Sequence, residues 1–273
     1  MDEAQQTPVP EVDSWHERSW MKKAVSILVS AVALAVAAPA SASTGLSGWW
    51  PFYEGTGTTA HDLSGNHRDG TLSGGAQWTS GYFGSGLSFN GNGAQVHIPD
   101  SPAFEPTTLT VTAYVKASGS PGDFKYVVAK GGFGCTTGEY GLYTGPNGGL
   151  MFYVDHSDGV TFTQSPDAGT GVWDGNWHFV VGTYDGSAVH LYVDGAEIGS
   201  ATPNSGPLAY GGPTSNDLFI GHYEGCSGLD FSGSIDEPTV WSRALSANQI
   251  RLAYLTLRVL HGWVSRLPAF PGS

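Results

Sequence analysis

The segment Trp177–Gly199, WHFVVGTYDGSAVHLYVDGAEIG, constrains the fold more than any other part of the chain. Its runs of β-branched and aromatic residues are cut by two Asp-Gly pairs, Asp185-Gly186 and Asp194-Gly195. Glycine accepts the positive φ that tight hairpin turns demand, so Asp-Gly between such runs marks an antiparallel hairpin. Parallel strands need a crossover of about a dozen residues or more, and none fits between these runs. The segment therefore predicts an antiparallel meander.

The pattern extends along the chain. Candidate strands cover 46–52, 86–90, 94–98, 109–116, 126–130, 140–144, 149–155, 159–164, 177–184, 188–193, 196–201, 217–222 and 232–241. In 109–116, Leu109, Val111, Ala113 and Val115 fall on one side, and Thr110, Thr112, Tyr114 and Lys116 on the other. That alternation is the mark of a strand with one core-facing side. No repeat of 20–50 residues is present, which argues against a propeller. The expectation is an all-β fold, a two-sheet antiparallel sandwich. One short helix is expected near the C-terminus. Ser246 has the place of an N-cap with Gln249 three residues on, a capping box, and Ile250, Ala253, Tyr254 and Leu257 form its apolar stripe.

The first residues read differently. Met21-Lys22-Lys23 is a short basic start, Ala24–Ala38 is apolar, and Ala40-Ser41-Ala42 is a small-residue cleavage pattern. This is the arrangement of a secretory signal peptide over 21–42, cut after Ala42. The apolar run falls short of the roughly 20 residues of a membrane-spanning helix, so no transmembrane anchor is expected. Residues 1–20 read as an upstream extension or a mis-assigned start, with Met21 the initiator. The fold is then expected over 43–256, followed by a tail over 257–273, in a secreted, extracellular protein.

Charge and cysteines narrow the function classes. The formal net charge is −13 at pH 7. An acidic chain repels phosphate backbones, which argues against nucleic-acid partners. Cys135 and Cys226 are the two cysteines, each in a Gly-rich loop. In an exported chain they are expected to form one disulfide, with a free reactive thiol as the alternative. The histidines show no zinc spacing, there is no nucleophile elbow, and the Gly-rich pieces lack the Lys-Ser/Thr of a phosphate loop. His178 lies inside a strand and is expected to be half-buried rather than catalytic.

Several motifs carry a resemblance. Trp177-His178, Thr183-Tyr184-Asp185-Gly186 and Leu191-Tyr192-Val193-Asp194-Gly195 are similar to the laminin-G-like, concanavalin A-like jelly-roll family. Trp50-Pro51-Phe52, Asp62-Leu63-Ser64-Gly65-Asn66, Gly84–Gly91, Gly233-Ser234-Ile235-Asp236-Glu237 and Arg243-Ala244-Leu245-Ser246 follow in that family's order, over roughly 46–254. The resemblance implies the jelly-roll sandwich. It also implies a structural calcium ion (Ca2+) between the early loop and the Ile-Asp-Glu strand, with Asp62, Asn66 and Asp236 as ligands and backbone carbonyls from 68–71. Side-chain oxygens at alternate positions of 62–66 suit such an ion. An Asx-turn held by its own backbone is the alternative. Glycosidases on this jelly roll place paired carboxylates on one strand. Ser234-Ile235-Asp236-Glu237-Pro238 lacks both flanking glutamates, and adjacent strand residues point to opposite faces.

Aromatic side chains complete the reading. Sugar rings stack on exposed aromatic faces, with acidic or amide neighbours bonding the hydroxyls. Trp50, Phe89, Phe152, Trp177, Phe179, Tyr192 and Trp241 lie in strand patterns and are expected in the core. Phe133, Trp173, Tyr210 and Tyr223 lie near Gly-rich turns, with Asp174, Asn176 and Glu224 beside them, and are the candidate ligand contacts. The expected role is a non-catalytic binding module for a glycan or polysaccharide at a cell surface or matrix. A polysaccharide-cleaving enzyme on the same fold and a protein-binding surface protein are the alternatives.

Overall fold

The structure is a computed structural model that describes residues 45–264, except 136–137, 157–160 and 205. The upstream piece 1–20, the segment 21–42 expected to be a signal peptide and the end of the expected tail, 265–273, lie outside the described residues.

Two antiparallel sheets form a sandwich, with strands numbered in chain order. The nine-stranded sheet runs β14 (Ala196–Glu197), β13 (Ala188–Val193), β12 (His178–Tyr184), β7 (Leu109–Lys116), β17 (Ser232–Trp241), β5 (Ser85–Asn90), β4 (Gln77–Ser80). Within it β1 (Leu46–Trp49) also pairs β17, and β15 (Thr202–Pro203) pairs β13. The eight-stranded sheet runs β11 (Phe162–Gln164), β10 (Leu150–Asp155), β9 (Tyr140–Thr144), β8 (Tyr126–Gly132), β16 (Ser215–Ile220), β6 (Gln95–Ile98), β3 (Gly70–Ser73), β2 (Thr59–Ala60). The Trp177–Gly199 meander forms as predicted, with Val180 opposite Val193 and Tyr184 opposite Val189. Its Asp194-Gly195 turn has φ of 52° and 76°, the doubly left-handed geometry of a tight hairpin.

The expected alternation sorts side chains between the layers. Leu109, Val111, Ala113 and Val115 enter the central core, where Trp50, Phe52, Leu142, Phe152 and Ile220 meet them, while Tyr114 faces outward. Each fully buried Val, Leu or Phe contributes about 1.5–3 kcal/mol. Trp177, expected in the core, is half-buried instead. Strands β3 and β4, GTLS and QWTS, were not among the expected ones. They are short and rich in Ser, Thr and Gln, and their neighbours rather than their own propensity hold them in register.

The helix α1 (Ala247–Val264) is longer than the short one expected and contains the proposed 256/257 boundary. Its capping box is formed. Ser246 N–H donates to Gln249 Oε1 at 3.0 Å, and Gln249 N–H to Ser246 Oγ at 3.4 Å. Ile250, Ala253 and Leu257 bury against Tyr114, Phe179, Val181 and Tyr192, covering the outer face of the nine-stranded sheet.

Candidate functional site

The outer face of the eight-stranded sheet has an apolar half and a polar half. On the apolar half Tyr126, Ala129, Tyr143, Met151 and Tyr153 form a separate buried cluster with Tyr223. The segment 221–231, which links β16 to β17, covers them. Tyr223 stacks on Tyr126 with centroids 4.5 Å apart and planes 15° apart, and its hydroxyl donates to Gly134 O at 2.7 Å. Burial pushes the Tyr223 phenol up to about 12. The Cys135–Cys226 disulfide is formed and staples this segment to the loop after β8. The approach is close. A Cβ on Gly225 would lie 2.3 Å from Gly134 O and 2.4 Å from the Tyr223 hydroxyl, so only glycine fits there.

The polar half lies on β6 and β16. His97 stacks on Phe219 at 5.1 Å, and Phe219 meets His222 edge to face at 5.3 Å, giving a row of three rings. Carboxylates flank it. Asp217 Oδ2 lies 2.7 Å from His97 Nε2, Asp230 Oδ1 is 2.5 Å from His222 Nδ1, and Glu224 Oε2 is 3.2 Å from His222 Nε2. Asp217 and Asp230 are oriented by backbone donors, Asp100 N–H and Gly93 N–H. His97, Asp217 and Glu224 keep a third or more of their side chains open to solvent. Phe219 is itself buried and His222 mostly so, so His97 is the open ring of the row, set beside solvent-facing hydrogen-bond acceptors on a rigid sheet.

The residues expected to contact ligand divide. Phe133 is half-buried and Glu224 exposed, and both lie two residues from a cysteine of the disulfide that joins their loops. Tyr223 is a correction, because its ring is sealed beneath the same segment. Trp173 is a second correction. It is buried, packs on Phe231 and donates from Nε1 to Gly148 O at 2.8 Å, so no ring face is open for stacking. Asp174 is exposed, but Asn176 holds it from both backbone and side chain, and His178 contacts it at 3.1 Å. Those hydrogen bonds pull its carboxyl down to about 2. Tyr210 is half-buried, and its hydroxyl donates to Pro106 O at 2.6 Å.

The calcium set does not assemble. Asp62 Oδ1 accepts from Trp49 N–H and Ser64 N–H, and Oδ2 from Arg68 N–H. Asn66 turns its Nδ2 towards the Leu46 and Ser47 carbonyls, and the Arg68 guanidinium also donates to Ser47 O. A calcium ion needs six to eight oxygens turned towards it, and here donors occupy that place. Asp236 sits elsewhere, with Oδ2 accepting from Phe83 N–H and Oδ1 from Glu237 N–H. Among the described residues no three His, Cys, Asp or Glu side chains converge on a metal position. These donors do not fit a shared ion. The turn has the geometry of the self-bonded alternative.

The neighbouring carboxylates Asp236 and Glu237 are buried. A register shift between Asp236 and Thr239, with Glu237 at φ 52°, interrupts strict alternation. Glu237 is held by Trp49 Nε1 at 2.6 Å and Tyr53 Oη at 2.5 Å, so the two side chains engage different partners. Burial, with the Glu237 charge beside it, pushes Asp236 well above the usual carboxylate range.

One cluster escaped the sequence reading. Lys130 is fully buried near the end of β8, with Nζ 2.8 Å from Glu139 Oε2, 3.1 Å from Asp100 Oδ1 and 3.7 Å from Glu105 Oε1. Glu139 Oε1 accepts from Gly211 and Gly212 N–H, which fixes the loop bearing Tyr210. A lysine directly after the apolar run Tyr126–Ala129 was the available signal. Two of its partners, Asp100 and Glu105, lie too far along the chain to be seen from it.

Comparison with known proteins gives the same architecture. Domain 4 of the GH43 extracellular arabinanase AbnA from Geobacillus stearothermophilus, solved with arabinotriose, is 19% identical with TM-score 0.58, over 77% of this chain and 99% of that one. A Trypanosoma rangeli sialidase, solved as a covalent intermediate with 2,3-difluorosialic acid, is 19% identical with TM-score 0.59, over 81% of this chain but 34% of its own. The binding domain of Paraclostridial Mosquitocidal Protein 1 is 13% identical with TM-score 0.51, over 77% of this chain and 52% of its own. At such identities the likeness is one of fold. No curated protein matches the chain in sequence. Residues 90–251, more than half of the chain, match the family described as the concanavalin A-like lectin/glucanases superfamily, and the chain belongs to that family.

Proposed function

We propose that this chain is an exported, non-catalytic carbohydrate-binding module whose ligand rests on the polar half of the eight-stranded sheet. The observation that carries the reading is the open His97 ring, backed by buried Phe219, with half-open carboxylates at Asp217 and Glu224. The open His97 ring offers a surface to the apolar face of a sugar, and carboxylates accept from its hydroxyls. The stapled segment holds Glu224 beside the row before ligand arrives, which lowers the ordering cost of binding. The superfamily is named for lectins and glucanases, and the arabinanase domain of the same fold was solved with an oligosaccharide. Both fit a glycan ligand. The buried Asp236 and Glu237 carboxylates, already engaged by protein donors, favour binding over hydrolysis. The disulfide and the signal-like 21–42 segment fit an oxidising, extracellular setting.

The test is a glycan array followed by titration of the best hit. His97→Ala and Glu224→Gln are expected to weaken binding by about tenfold each, the loss of one ring contact or charged hydrogen bond, with unchanged melting. Release of reducing sugar from the same panel would instead identify an enzyme. A blank array with folded protein would point to a protein partner.

A further inference from the structure

The helix α1 buries one face and leaves a second apolar face open. Leu252, Leu255, Val259 and Trp263 are 46%, 45%, 59% and 75% exposed. At 100° per residue these four positions fall within one stripe on the side away from Ile250, Ala253 and Leu257. They include the most exposed large apolar side chain among the described residues, Trp263. An apolar stripe of this kind marks an interaction surface rather than scatter.

The charge around the stripe says what covers it. Arg251 and Arg258 are exposed along its edge. Residues 238–273 contain four arginines and no Asp or Glu, in a chain whose net charge is −13. The nearby carboxylates Asp194 and Glu197 are already engaged by His178 and His190. A second copy of the chain would set arginine rows against each other with no helical carboxylate between them. An anionic surface pairs with the arginines and accepts the apolar side chains together. A helix with Arg beside Leu, Val and Trp lies in the plane of a lipid interface. No helix among the described residues is long and apolar enough to cross a membrane, so α1 would lie on the bilayer rather than span it.

We propose that the outer face of α1 docks the protein on an anionic lipid bilayer. Trp263, Val259, Leu255 and Leu252 enter the headgroup boundary, and Arg251 and Arg258 pair with lipid phosphates. The helix lies over the nine-stranded sheet, so the sugar-binding row proposed on the eight-stranded sheet remains open.

The test is co-sedimentation of the 43–273 chain, which holds every described residue, with lipid vesicles. Vesicles of phosphatidylcholine carrying about one-third phosphatidylglycerol are compared with phosphatidylcholine alone. Binding to the anionic vesicles is expected to exceed that to neutral ones by about tenfold, and to fall by a similar factor in about 0.5 M sodium chloride. Arg251→Gln with Arg258→Gln should weaken it about 10- to 30-fold, and Trp263→Ala about tenfold. All these side chains are exposed, so each variant should melt with the parent. Failure to bind anionic vesicles overturns the proposal, as does binding that these variants leave unchanged. A dimer that Trp263→Ala dissolves assigns the stripe to a second copy and also overturns it.

Discussion

The two outer faces of the sandwich are covered by different means. On the nine-stranded sheet α1 is laid down by contact, with Ile250, Ala253 and Leu257 on the sheet and His261 stacked on Tyr82 at 4.1 Å, which in turn stacks on Tyr114 at 3.9 Å. On the eight-stranded sheet the 221–231 segment has no regular structure of its own over most of its length and is held by a covalent bond. A helix satisfies its own backbone and needs only an apolar face to dock. An irregular segment must find partners for its backbone groups and loses more entropy when ordered. The difference teaches where a covalent clamp is useful: over the cover that could not otherwise stay down.

Breaking the clamp should have the largest effect. Cys135→Ser with Cys226→Ser opens a link between residues 91 apart in sequence. The chain-entropy model puts the loss at about 4.6 kcal/mol. Chemical denaturation measures it, and hydrogen exchange locates it. Amides of 221–231 should exchange faster while those of α1 stay protected. Equal loosening of both covers would mean that they are not independent.

The comparison also shows which parts of the molecule could be read from the sequence. The meander was legible because Asp194-Gly195 fixes a turn that few other pairs adopt. The Ser246–Gln249 box was legible because both members are local. The disulfide was legible because there are two cysteines to pair. The positions of Trp173 and Tyr223 were not, because a Gly-rich neighbourhood predicts a turn without saying whether its aromatic ring points in or out. Trp173 turns in because Gly148 O and Phe231 wait there. The His97–Phe219–His222 row and the Lys130 cluster join residues from distant strands, so register rather than motif creates them. The second apolar side of α1 was missed because its boundary was set near residue 257.

A buried carboxylate beside the helix-covered sheet gives the next prediction. Burial pushes Glu237 up to about 7, against the hydrogen bonds from Tyr53 and Trp49, which pull it down. The native protein therefore keeps a proton that the unfolded chain, with its ordinary value of 4.5, has released. The stability this group supports is complete below that unfolded value and is lost as pH rises towards 7. The expected loss is roughly 3 kcal/mol for the single group. Glu237→Gln keeps the shape and removes the titration, so its melting temperature should change less across pH 5–7 than that of the parent. Parallel pH profiles would show that Glu237 stays ionised when folded.

The smallest effect tests the same face at its rim. His178 is half-buried; burial alone would lower its pKa, but the carboxylates of Asp194 at 2.8 Å and Asp174 at 3.1 Å together outweigh that and raise it. A raised histidine stabilises fully below its unfolded value of 6.5 and loses that contribution as pH climbs through the folded value. Both carboxylates are more than a third open to water or nearly so, which keeps the gain below about 1 kcal/mol. The stability gap between the parent and His178→Gln should therefore narrow from pH 5 to pH 9, and narrow further in high salt. A gap that widens with pH would mean that neutral imidazole, not the ion pair, holds the Asp194-Gly195 turn against β12.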